Sequence, residues 1–164
     1  MSERVLLAAL LADIKRVAQR YYQLTGRPLG VTGEVAEMEA VRLLRLRPAT
    51  VRQPGYDAEG PMREGRRVRF QIKGRCMVDK VKATARLGAI DLSKPWDAVL
   101  LVLMDADFAT TAIYRAERAA VEAALTAPGS KARNERGQLS ISKFRAIGIQ
   151  VWPRAGTDRL GMRT

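Results

Sequence analysis

The chain has 164 residues, 47% of them hydrophobic and 28% charged, with a net charge of +12, one cysteine and no histidine. That balance suits one globular domain and excludes a wholly disordered chain; a lone cysteine without histidine excludes an internal disulfide and a Cys/His zinc site. No apolar run approaches the roughly 18 residues of a membrane span, so the default expectation is a cytoplasmic protein without a membrane partner.

Residues 3 to 24 read as an amphipathic helix in which Leu6, Leu10, Ile14, Val17, Tyr21 and Leu24 recur at intervals of three or four. Its start, "VLLAALLA" at 5 to 12, is briefly like a signal-peptide core, but Asp13, Lys15 and Arg16 follow without a cleavage site. Gly26, Pro28 and Gly30 break the helix. A second opens with Thr32 as N-cap and runs from Gly33 to Arg45, with Val35, Ala36, Ala40, Leu43 and Leu44 inward and Glu34 in its first turn.

Short strands are expected at 49 to 53, 55 to 59 and 66 to 73, separated by Pro54-Gly55 and Gly60-Pro61. The apolar run "DAVLLVLM" at 97 to 104 reads as a central strand covered on both faces. A strand at 110 to 115, a helix at 116 to 125, a basic loop at 128 to 137, an ambiguous stretch at 139 to 144 and a last strand at 147 to 152 complete the chain. Residues 1 to 152 form one domain by this reading, and 153 to 164 a loose tail.

The positive charge is clustered. Residues 63 to 86 carry nine basic and two acidic side chains, and residues 131 to 145 five basic and one acidic, so these two segments hold almost all of the net charge. This is the footprint of a surface for a polyanion, nucleic acid before membrane.

Within the first cluster, "VRFQIKGR" at 68 to 75 alternates as a strand does. Val68, Phe70 and Ile72 then face the core, while Arg67, Arg69, Gln71 and Lys73 share the other face. Burying those cations unpaired would cost several kcal/mol, so that face must meet solvent, an acidic partner or a phosphate. A hairpin brings Asp57, at the end of the preceding strand, alongside Gln71 and Lys73, with Glu34 as a further carboxylate and Glu59 and Glu64 as fallbacks. Hard cations such as Mg²⁺ take oxygen ligands and keep waters, so one or two carboxylates with an amide or backbone oxygen suffice.

Glu34, then "GYD" ending at Asp57, then "QIK" at 71 to 73, then an apolar strand and a helix, resembles the PD-(D/E)xK superfamily, the restriction-endonuclease-like nucleases. The resemblance covers about residues 30 to 126. It implies an α/β fold with a restriction-endonuclease-like core, a central mixed sheet flanked by helices in α-β-β-β-α-β order. It further implies a nuclease that hydrolyses phosphodiester bonds of DNA with Mg²⁺, or Mn²⁺ in its place. Asp57, Gln71, the Ile72 carbonyl and Glu34 would be the metal ligands, and Lys73 the catalytic lysine. Arg67, Arg69, Arg75, Lys80 and Lys82 would grip phosphates, and a homodimer would suit the cutting of two strands. The chain departs from the family pattern twice: the proline lies at Pro54, with Gly55 and Tyr56 before Asp57, and the acidic residue of the triplet is Gln71, as in the QxK of Mrr-like enzymes. An inactive nuclease-fold protein that binds nucleic acid, and a basic interaction protein, stand as alternatives.

Overall fold

A computed structural model describes residues 2–77 and 85–153. Elements follow in the order α1 (Glu3–Thr25), α2 (Thr32–Leu44), β1 (Arg47–Pro48), β2 (Ala58–Arg63), β3 (Arg66–Cys76), β4 (Ala98–Met104), β5 (Thr110–Glu117), α3 (Arg118–Thr126), α4 (Lys131–Asn134), α5 (Ile141–Ile147) and β6 (Ile149–Trp152). The six strands form one sheet in sequential order, antiparallel throughout except for the parallel pair β3–β4. The fold is α/β, a mixed sheet flanked by helices and compatible with a restriction-endonuclease-like core.

Strand β4 is buried along its whole length, as its unbroken apolar sequence demands. Its even residues Ala98, Leu100, Val102 and Met104 join Val68, Phe70 and Ile72 of β3 and Val35, Ala36 and Ala40 of α2 in one core. Its odd residues Val99, Leu101 and Leu103 face a second core built from Leu87, Ile90, Trp96, Val121, Leu125, Leu139 and Phe144. Each buried Val, Leu, Ile, Phe or Met among them contributes roughly 1.5–3 kcal/mol by leaving water.

A parallel pair needs a crossover, and the chain between β3 and β4 supplies it on the second face. Among the described residues of that crossover, Leu87 N–H donates to the Leu139 carbonyl (2.8 Å) and Ile90 N–H to Gly137 (2.9 Å). Arg118 closes its end. The guanidinium donates to the carbonyls of Leu92, Lys94 and Trp96 and lies 4.5 Å from the centroid of the Trp96 ring.

Several sequence expectations shift. Residues 49 to 57 hold turns instead of strands. The hairpin partner of β3 is β2, and the turn between them is Glu64-Gly65, both at positive φ (51° and 79°), the geometry that two-residue hairpins favour. Gly60-Pro61 lies inside β2, where the register shifts between Glu59 and Met62, because proline has no N–H for the ladder. Thr32 is the first residue of α2, with Val31 at the N-cap position and no side-chain cap. Five strands, β1 to β5, stand between α2 and α3, where the resemblance implies three. The ambiguous stretch becomes α5, whose Ser140 Oγ accepts from Lys143 N–H at 3.2 Å.

Helix α1 departs most. Leu11 and Ala18 are its buried residues, whereas Leu6, Leu10, Val17, Tyr21 and Leu24 of the periodic apolar set are exposed. Polar contacts orient it: Lys15 Nζ bonds the buried Glu39 Oε1 of α2 at 2.6 Å, and Gln19 Nε2 bonds Asp107 Oδ1 at 3.1 Å. Among the described residues no helix is long and apolar enough to cross a membrane.

Candidate active site

The sheet opens where β2 and β3 part. Their pairing ends at Ala58↔Phe70, and Asp57 N–H makes the last rung by donating to the Phe70 carbonyl at 2.8 Å. One residue further along β3 there is no strand to pair with. The Asp57 carboxylate fills that vacancy: its Oδ2 accepts from Ile72 N–H at 2.6 Å. In a strand the N–H and C=O of one residue point to the same edge, so the Ile72 carbonyl also faces this open edge. Asp57 therefore sits just before β2 begins, rather than at the end of a strand as the sequence suggested.

Gln71 and Lys73 flank Ile72 on the opposite face of β3, both half-buried. Gln71 Oε1 is buried and has no hydrogen-bond partner among the described residues. The crossover passes over Lys73, with Gly88 so close that a Cβ there would lie 3.8 Å from Lys73 Cδ and 4.0 Å from Nζ. Burial under this backbone lowers the Lys73 pKa, aided by Arg75 and opposed by the negative charges of Asp57 and Glu37.

Helix α2 reaches the site because Gly74 lets it come close. A Cβ on Gly74 would stand 2.5 Å from Ala36 Cβ and 2.8 Å from the Thr32 carbonyl oxygen. The half-buried carboxylate this presents is Glu37, which the sequence reading passed over. Its pKa is pushed up to about 7, first by burial and then by the charges of Asp57 and Glu34, against the pull of Lys73. Glu34, the expected member, is exposed one turn earlier. A sequence signal existed: Glu37 lies between Ala36 and Ala40, which face the sheet, and three residues after Glu34, so the two carboxylates share one side of the helix.

The expected phosphate-gripping residues differ in freedom. Arg69 is held by Asp97, through Nε to Oδ2 (3.2 Å) and Nη2 to Oδ1 (3.3 Å), while its own backbone N–H bonds the same Oδ2 at 2.7 Å. Arg66 also pairs with Asp97 at 2.6 Å. Those contacts hold the Asp97 carboxyl well below the usual carboxylate range, against the effect of its burial. Arg75 donates through Nε (2.8 Å) and Nη2 (2.6 Å) to the Arg86 carbonyl, tying β3 to the crossover. Arg67 is exposed, with one bond of 3.3 Å to the Gly60 carbonyl. Lys80 and Lys82, and the tail from 154 onward, lie outside the described residues.

Among the described residues no three carboxylate, thiolate or imidazole groups cluster closely enough to hold a metal ion. The oxygens here are of the kind a hard cation takes: the second oxygen of Asp57 and the Ile72 carbonyl at the open edge, and, on the adjoining face of β3, the Gln71 amide oxygen, unpartnered among the described residues. Chemically, the site combines an anchored carboxylate, an orphaned amide oxygen, an ammonium made less basic by burial and a carboxyl that titrates near neutrality. In comparisons with known proteins, no family model and no curated protein matches this chain.

Proposed function

We propose that the protein is a metal-dependent nuclease that hydrolyses phosphodiester bonds of nucleic acid, DNA first, with Asp57, Gln71, Ile72 and Lys73 as its centre. The observation that carries this reading is the parted edge of β2 and β3, where Asp57 is pinned beside Ile72 (2.6 Å) and Gln71 and Lys73 flank that same residue. A structural strand has no use for a buried amide oxygen without a partner among the described residues next to a desolvated lysine, since both are costly.

Asp57, Gln71 Oε1 and the Ile72 carbonyl would hold the cation, with Glu37 taking the role first expected of Glu34. Mg²⁺, or Mn²⁺ in its place, supplies charge neutralisation at the phosphoryl oxygens and a more acidic bound water. Lys73 orients the attacking water and, its basicity reduced by burial, is neutral and free to take a proton for a larger share of the time than an exposed lysine. Glu37 holds or releases a proton in the same pH range. The site lies on an open strand edge, as the backbone of a polymer requires, and the basic residues concentrated in 63 to 86 supply the attraction for it. Of these, Arg67, Lys80 and Lys82 are the ones to contact phosphates, because Arg69 is committed to Asp97.

The test is incubation with supercoiled plasmid, linear duplex and single-stranded DNA or RNA, with Mg²⁺, Mn²⁺ or chelator, beside Lys73→Ala and Asp57→Asn. Metal-dependent cutting lost in both variants while binding persists supports the nuclease. A second reading, a nuclease-fold binder without activity, is favoured by Gln71 standing where a carboxylate is usual. Salt-sensitive binding with no cutting under any metal would select it.

A further inference from the structure

We propose that α1 is the interface of a homodimer, formed when the helices of two copies pair antiparallel. This inference is independent of the nuclease reading.

Leu7, Leu10, Ile14, Val17, Tyr21 and Leu24 follow one another at spacings of three, four, three, four and three along α1. That is the a/d pattern of a coiled-coil seam, sustained over the whole helix, which is about 34 Å long. The body of the protein does not use most of it. Leu11 and Ala18, on the neighbouring stripe, are buried against the domain, while Leu10 is 47% exposed, Val17 59% and Leu24 78%. Only Ile14 of the seam packs partly against the core. A contiguous apolar stripe of this kind is uncommon on a monomer and marks an interaction site.

The seam also specifies its occupant. Laid antiparallel on a second copy, it matches itself layer by layer: Leu7 with Leu24, Leu10 with Tyr21 and Ile14 with Val17. In that register the flanking positions that face each other across the seam bring Asp13 opposite Arg20, twice by symmetry. Both are exposed on α1, and the local partner of Asp13 is the exposed Arg16. A parallel pairing would set Asp13 against Ala18 and Arg20 against Thr25, without an ion pair, and would bring like ends of the helix dipoles together. The helix is already ordered on the domain by the Lys15–Glu39 and Gln19–Asp107 contacts, which lowers the entropic cost of association.

The experiment is sedimentation velocity and light scattering on the full chain from about 1 to 200 µM, with circular dichroism as the check on folding. The expected mass is twice 18.2 kDa at the upper concentrations. Val17→Glu, on an exposed position, should return the single-chain mass with unchanged helicity. Asp13→Arg and Arg20→Asp should each weaken the dimer about fivefold or more, and the two together should restore it, since only a reciprocal pair is rescued by exchange. A single-chain mass throughout, a dimer indifferent to Val17→Glu, or vesicle binding by α1 in place of self-association overturns the proposal. Failure of the double exchange to rescue overturns its antiparallel register.

Discussion

Asp57 Oδ2 accepts a 2.6 Å hydrogen bond from Ile72 N–H, so a side chain completes the sheet where a strand has left it. The bond gives Asp57 two separable roles. Asp57→Asn keeps an acceptor for Ile72 and should stay within about 1 kcal/mol of wild-type stability, whereas Asp57→Ala leaves that N–H without its partner and costs roughly 1–2 kcal/mol. Both should lower metal-dependent cleavage at least about 100-fold. Denaturant melts beside cleavage assays check the split; equal stability loss in both variants would refute it.

Glu37 makes stability depend on pH. Its folded pKa, about 7, lies above the ordinary 4.5, so the stabilisation is complete below pH 4.5 and is lost as pH rises through 7. Glu37→Gln removes this dependence. The metal-free variant should match wild type at pH 5 and exceed it at pH 8 by on the order of 1 kcal/mol, allowing for solvent screening of a half-exposed group. Thermal melts with chelator across pH 5 to 8 would show parallel curves if Glu37 did not titrate there.

Gly74 sets the distance between α2 and β3. Gly74→Ala introduces a methyl 2.5 Å from Ala36 Cβ and should cost about 1–3 kcal/mol, moving Glu37 away from the site. Gly88→Ala is the control, because its methyl would meet Lys73 at an ordinary 3.8 Å. Equal melting temperatures for the two variants would count against this account of the helix position.

Asp97 gathers Arg66, Arg69 and the Arg69 backbone N–H at the start of β4. Asp97→Ala should cost roughly 2–3 kcal/mol, because it strands a partly buried guanidinium and a strand N–H. With its folded pKa depressed, the contribution of Asp97 is present above pH 3.8 and is lost as pH falls below that value. The gap between wild type and variant should therefore narrow in acid. A gap unchanged from pH 7 to pH 2 would contradict the assignment.

Local chemistry made much of this protein legible from its sequence. The alternation of β3, the continuous apolar run of β4 and the spans of α1 and α2 each depend on neighbouring residues, and all four form close to where their patterns place them. The faces of β3 were equally readable, because a period of two leaves no choice once Phe70 and Ile72 must be buried. The polar face was expected to find solvent, an acid or a phosphate, and Arg69 found an acid 28 residues away.

What only the tertiary structure decided depends on parts distant in sequence. Whether 49 to 57 pairs or turns is set by where β3 runs, and the proline and glycine of β2 are absorbed by a bulge that no local rule demands. Helical periodicity identifies apolar residues without saying which neighbour covers them, so the α1 stripe that meets the body is Leu11–Ala18 instead of the richer seam beside it. The choice between Glu34 and Glu37, a turn apart on one side of α2, depends on where along its length the helix meets β3. The close contact at Gly74 fixes that meeting point, through packing between residues almost forty positions apart.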